Sequence, residues 1–171
     1  MAEARRGRIP RHDMPTQDPA ARIHNFDEVA LGYPLDVAVE EALRCLQCKD
    51  PQCVVGCPVQ VRIPEFIKAL RDGEMWQAVV LLKDKNSLPA ICGRVCPQET
   101  QCEIRCLLGR RSEPVAIGRL ERFVADWERA QGMRLPERAA PLGKRIAVIG
   151  SGPASLTLAG DLAKKGYEVE I

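Results

Sequence analysis

Eight cysteines gathered into two short stretches constrain this chain more than any other feature. The first stretch reads Cys45-x2-Cys48-x4-Cys53-x3-Cys57-Pro58, and the second reads Cys92-x3-Cys96-Pro97-x5-Cys102-x3-Cys106. The basic N-terminus from Met1 to His12, with Arg5 and Arg6, is not followed by the apolar run of a signal peptide. No segment approaches the roughly 20 consecutive apolar residues that a membrane helix needs. The expectation is therefore a soluble, cytoplasmic chain without a membrane partner. In a reducing compartment, clustered cysteines are more often metal ligands than disulfides.

The first stretch is close to the bacterial ferredoxin run, in which three cysteines hold one cluster and a fourth crosses to another, although its x4 gap departs from that pattern. Two groups of four match the ligand count of two 4Fe-4S clusters. Dense spacing suits that chemistry, because each thiolate must reach a different corner of a cube only a few ångströms across. Pro58 and Pro97 stiffen the chain and remove N–H groups that would need partners. The competing reading is a pair of structural zinc sites in an interaction module, since zinc also takes paired Cys-x2-4-Cys knuckles.

A chain of 171 residues, 46% of them hydrophobic, can bury one core or one small domain plus part of another. The 25 basic and 23 acidic residues are interspersed and nearly cancel, so no broad field would steer nucleic acid. Aromatic residues make up 4% and leave few stacking surfaces for bases, which excludes nucleic acid further. Pro10, Pro15 and Pro19 among charges give residues 1–35 the character of an extended arm without a helix. A helical domain is expected over 36–131. Asp36 caps a helix in which Val39, Ala42 and Leu43 recur and which delivers Cys45. Pro64 opens another helix with Phe66, Ile67 and Leu70, which Gly73 stops. A third, from Glu74 to about Lys85, carries Met75, Val79 and Leu82 as packing residues and ends before Asn86. The spacing of Ile117, Leu120, Val124 and Trp127 predicts a fourth, to about Arg129.

Gly132 and Pro136 mark a linker over 132–143, and from Lys144 the character changes. Ile146-Ala147-Val148-Ile149 reads as a buried strand, followed by a helix of about Ala154 to Lys165 and a strand from Tyr167 to Ile171. Between strand and helix lies Gly150-Ser151-Gly152-Pro153-Ala154-Ser155, the context that turns a glycine pair into a dinucleotide fingerprint. Backbone N–H groups there would receive a pyrophosphate; a plain structural turn is the competing reading. The fold class expected is an α-helical two-cluster ferredoxin-like domain followed by the truncated β-α-β start of a Rossmann-like α/β domain. The fragment over 144–171 buries too little to fold alone, so the chain reads as the front portion of a longer enzyme.

Longer strings carry a resemblance: Gln17-Asp18-Pro19, Asn25-Phe26, Gly32-Tyr33, Cys45-Leu46-Gln47-Cys48, Gly56-Cys57-Pro58-Val59, Leu88-Pro89-Ala90-Ile91-Cys92-Gly93-Arg94-Val95-Cys96-Pro97-Gln98 and Ala116-Ile117-Gly118-Arg119-Leu120-Glu121-Arg122-Phe123. Together they resemble the N-terminal iron-sulfur domain shared by the glutamate synthase small subunit, dihydropyrimidine dehydrogenase, sulfide dehydrogenase and the large subunit of NADH-dependent reduced ferredoxin:NADP oxidoreductase. The resemblance implies crossed ligation, with Cys45, Cys48, Cys53 and Cys106 on one cluster and Cys57, Cys96, Cys102 and Glu121 on the other. From the residues alone Cys92 is the simpler fourth ligand, since thiolate suits iron better than carboxylate. Glu121 nevertheless sits on the inward edge of its helix, where an unpaired carboxylate is costly. A carboxylate ligand would also set one cluster's potential apart from its all-thiolate neighbour.

By the same resemblance the glycine loop binds FAD, with NAD(P)H held further downstream. The implied function is electron relay between FAD and a partner flavoprotein subunit, with ferredoxin as a further partner, in an electron-bifurcating NADH-dependent ferredoxin:NADP oxidoreductase. Supply of electrons to a glutamate synthase partner is the second reading. A stand-alone ferredoxin-like carrier is the third.

Overall fold

The computed structural model describes residues 9–171, so Arg5 and Arg6 lie outside it. The proline-rich start does contain a helix, contrary to expectation: α1, Pro19–Arg22, begins with proline in its first turn. The Asp18 carboxylate accepts from the backbone N–H groups of Ala20 at 2.8 Å and Ala21 at 3.3 Å. A proline costs nothing at the start of a helix, where its missing N–H would have had no partner. An antiparallel bridge between Thr16 and Ala30 folds this segment back, and the amides of Gln17 and Asn25 bond each other across the fold.

The arm then lies along the helical body. Arg11 pairs with Glu103 at 2.7 Å, Arg119 donates to the His12 carbonyl and the Tyr33 hydroxyl, and Glu28 takes Arg94 at 2.7 Å and Arg122 at 2.6 Å.

The body begins with α2, Leu35–Leu43. Pro34 occupies the cap position, and the expected cap Asp36 lies inside the first turn, where it accepts from the Val37 N–H. The face turned inward carries Ala38, Glu41 and Ala42 rather than Val39 and Leu43. A carboxylate is tolerated there because Arg44 reaches it at 2.6 Å and the N–H groups of His12 and Ala116 donate to it. Next come α3, Gln52–Gly56, and α4, Ile63–Arg71, with Phe66, Ile67 and Leu70 fully buried. Gly73, at φ +80°, turns the chain into α5, Met75–Lys83, whose Val79 and Leu82 are buried as expected. After α6, Pro89–Val95, two 3-10 turns lead to α7, Ile117–Gln131. The short helices α3 and α6 lie inside cysteine stretches that read as loops in the sequence.

Helix α7 is the axis of the core. Ile117, Leu120 and Val124 lock against α4 and α5, and each fully buried side chain of this size contributes roughly 2 kcal/mol. On the other flank α6 comes very close: a Cβ on Gly93 would lie 2.6 Å from the Arg122 backbone nitrogen.

Beyond an exposed stretch, β1 (Arg145–Ala147), α8 (Pro153–Lys164) and β2 (Glu168–Glu170) form a β-α-β unit with parallel strands in the register Ile146 to Val169. The linker over 132–143 is tied at its far end, where Ala139 and Leu142 donate to the carbonyls of Lys164 and Gly166. In the strand run expected to be buried, Val148 is buried and Ile146 half-buried, while Ile149 is 98% exposed. Helix α8 packs against β2. Among the described residues no helix is long and apolar enough to cross a membrane.

Candidate functional site

The cysteines separate into two groups, and the division does not follow chain order. Cys45 stands just past Arg44, which caps the end of α2; Cys48 follows in the turn, and α3 presents Cys53. Cys106, which opens the second 3-10 turn, joins these three around one recess walled by Ile63, Pro64, Ile67, Leu108, Val115 and Ile117. Burial, then the nearness of Cys45, Cys106 and Cys48, pushes the Cys53 thiol up to about 12. Burial and the neighbouring Cys106 likewise raise Cys45 and Cys48. Gln47 shapes the turn: it adopts φ +54°, and its amide donates to Cys45 Sγ at 3.3 Å and to the Pro64 carbonyl at 2.9 Å. Sequence reasoning gave Gln47 no role, because a single polar residue between two cysteines carries no periodic signal.

The second group gathers Cys57, Cys96, Cys102 and Glu121. Burial, then Cys92, Glu121 and Cys57, lifts Cys96 to about 12, and burial with Glu103, Cys57 and Glu121 raises Cys102. Glu121 is 9% exposed on α7, and burial pushes its carboxyl up to about 7 against one hydrogen bond from Asn86 Nδ2 at 2.6 Å. Cys92, on α6, lies beside Cys96, so both candidates for the fourth position border the same group. The stretches meet where a Cβ on Gly56 would lie 2.5 Å from the Gln101 carbonyl oxygen. That close approach lets Cys57 and Cys106 change groups. Asn86 was legible only as a helix stop, yet it is buried here and touches both Glu121 and Cys92.

Among the described residues no three His, Cys, Asp or Glu side chains converge on a position for a single metal ion. Thiols spread around a recess suit a polynuclear core, which takes its ligands at separate corners. The electrostatics agree: burial and crowding hold the Cys45, Cys48, Cys53, Cys96 and Cys102 thiols against ionisation, a penalty that a cationic iron core would offset. The donor set therefore fits a 4Fe-4S cluster.

The glycine loop follows β1. Gly150 adopts φ +103°, Gly152 caps α8, and Pro153 is its first residue. The first helical bond runs from Leu156 to the Gly152 carbonyl, leaving the N–H groups of Ala154 and Ser155 without intrahelical partners. Ser151 is exposed, and the Ser155 hydroxyl folds back to 3.4 Å from where a Cβ on Gly150 would stand. No side chain caps this helix, so its N-terminus is open to an anion.

Comparison with known proteins agrees with the helical region. The glutamate synthase (NADPH) small chain of Azospirillum brasilense is 39% identical over 163 residues, covering 92% of this chain and 33% of that protein. The NAD-dependent dihydropyrimidine dehydrogenase subunit PreT of Escherichia coli is 36% identical over 146 residues, 85% of this chain and 35% of its own length. The glutamate synthase (NADPH) small chain of the same bacterium is 35% identical over 165 residues, again 35% of its length. The chain thus spans about a third of the length of these relatives. Residues 22–133, which hold all eight cysteines and Glu121, match the family described as dihydropyrimidine dehydrogenase domain II, 4Fe-4S cluster, and the chain belongs to that family.

Proposed function

We propose that this chain is the iron-sulfur electron-transfer portion of an FAD-dependent NAD(P)H oxidoreductase, carrying two 4Fe-4S clusters. Cys45, Cys48, Cys53 and Cys106 hold the first cluster, and Cys57, Cys96, Cys102 and Glu121 hold the second. The observation that carries the reading is the crossed division of the thiols, in which Cys106 joins the first stretch and Cys57 the second. Flavin and clusters, when bound, convert hydride equivalents into single electrons and pass them on. The residues of the chain fix where this happens. Ile63, Ile67 and Val115 keep water from the first recess, and the exchanged cysteines tie the two centres to one scaffold. The N–H groups of Ala154 and Ser155, with the turn at Gly150, Ser151, Gly152 and Pro153, receive the FAD pyrophosphate. The NAD(P)H site belongs to a later part of the whole protein.

The bifurcating ferredoxin:NADP type and the glutamate synthase type share this domain. Similarity to two glutamate synthase small chains favours a glutamate synthase-type partner subunit as the acceptor. Mixing the whole protein with NADH or NADPH under argon tests the relay. The visible cluster absorbance bleaches with at least one donor, and reoxidation by ferredoxin, sulfide-linked acceptors, or glutamine plus 2-oxoglutarate with the partner identifies the sink. Bleaching by dithionite but by neither nicotinamide contradicts the proposal.

A further inference from the structure

Asn86 is buried between the end of α5 and the start of α6, and its amide meets three groups at once. Its Oδ1 accepts from the backbone N–H of Leu88 at 2.9 Å. A backbone N–H can only donate, so this bond fixes which end of the amide is oxygen and which is nitrogen. The nitrogen is then aimed at Glu121, donating from Nδ2 to Oε1 at 2.6 Å. An amide nitrogen needs an acceptor, and a carboxylate is the better acceptor in reach. Oε2 takes no protein hydrogen bond among the described residues. The oxygen end also meets Cys92, whose Sγ–H donates to Oδ1 at 3.5 Å.

Resting on the two-cluster reading above, we infer that Asn86 is a positioning residue that selects Glu121 as the fourth ligand of the second cluster and holds Cys92 out of the set. The amide polarity does both: it orients one carboxylate oxygen so that the other points free, and it occupies the sulfur that would otherwise compete. Leu88 supplies the fixed reference, because its N–H belongs to the turn that starts α6, the helix carrying Cys92. Such outer partners orient ligands and tune a metal centre.

The test uses the whole protein, assembled anaerobically, as Asn86→Ser, Cys92→Ala and the two combined. Serine keeps an oxygen for the Leu88 N–H, and with it the turn, but has no amide donor for Glu121. Asn86→Asp, nearly the same size, is the second variant should serine loosen the fold. In either single variant at Asn86 the protein is expected to keep roughly eight irons. The electron paramagnetic resonance signal and midpoint potential of the second cluster then move to all-thiolate values, while the first cluster's signal stays. Adding Cys92→Ala cancels that move, because no thiol remains to take over, and Cys92→Ala alone leaves both signals in place. The inference is overturned by an unshifted second signal in both Asn86 variants, by a shift that persists without Cys92, or by loss of the second cluster with the first intact. An unaltered protein that holds fewer than about eight irons fails the two-cluster reading itself, and this inference falls with it.

Discussion

Glu121 sits on a helix face otherwise given to Ile117, Leu120 and Val124, where a carboxylate without a cation is expensive. Burial and its nearness to Cys96 and Cys102 make it the residue on which the proposed second cluster is tested. Glu121→Ala is expected to lower the iron count of the whole protein or shift one of its two resonance signals, whereas Cys92→Ala leaves both unchanged. The reverse pattern assigns the position to Cys92.

The same burial sets a pH dependence in the cluster-free protein. Burial raises the Glu121 carboxyl from 4.5 to about 7, so the folded form holds its proton more tightly than the unfolded chain does. Stability is then fully present below 4.5 and is lost as pH rises through about 7, by about 3 kcal/mol. Glu121→Gln flattens that slope in denaturant titrations between pH 4.5 and 8. A slope that survives the substitution assigns it to other groups.

At this scale the two thiol-rich stretches were legible in the sequence, because cysteines at short spacing have few uses, and the structure brings them together in two groups. Asn86 and Gln47 were not, since their role depends on groups distant in the chain or on a local φ that the residue type does not announce.

Among the elements, α4, α5 and α7 were readable from apolar spacing, while α3 and α6 were hidden. A helix of five to seven residues completes too few turns to show a period, and both are written over by cysteines. The inward face of α2 was misread for a different reason. Hydrophobic spacing pointed to Val39 and Leu43, but the fold spends that face on Glu41 and Arg44, both wholly buried. Burial alone would raise the Glu41 carboxyl, yet bonds from Ala116, His12 and Arg44 bring it below the usual range. Arg44 in turn donates to the carbonyls of Ile9, Glu113 and Pro114, so the pair joins the arm, α2 and the approach to α7. Glu41→Ala strands a buried guanidinium and is expected to cost about 3–5 kcal/mol in chemical denaturation. A loss under 1 kcal/mol would mean that Arg44 finds water instead.

The contact between α6 and α7 offers a second prediction at this scale. Gly93→Ala drives a methyl into the Arg122 backbone, costs about 1–3 kcal/mol, and loosens the second cluster before the first, as read by the order in which a chelator removes iron. Simultaneous loss of both contradicts it.

For the molecule as a whole, the sequence predicted a helical cluster domain and an incomplete α/β unit, and the helical part matches its family over residues 22–133. The arm was expected to be extended. It instead carries a capped helix and binds the body through Glu28, which bridges Arg94 on α6 to Arg122 on α7. That grip is a long-range ion network, invisible to any local pattern. The exposed face at Ile149 was misjudged because burial of a strand depends on layers that neighbouring sequence does not encode.

The central claim is that thiols divided across two stretches hold two four-iron clusters. Iron and acid-labile sulfide analysis of the anaerobically purified protein, with resonance spectra of its reduced form, tests it most directly. The account predicts about eight irons and eight sulfides per chain and two signals, with Cys106→Ala removing the first and Cys57→Ala the second. A colourless protein holding zinc, or loss of the first signal on Cys57→Ala, would contradict it.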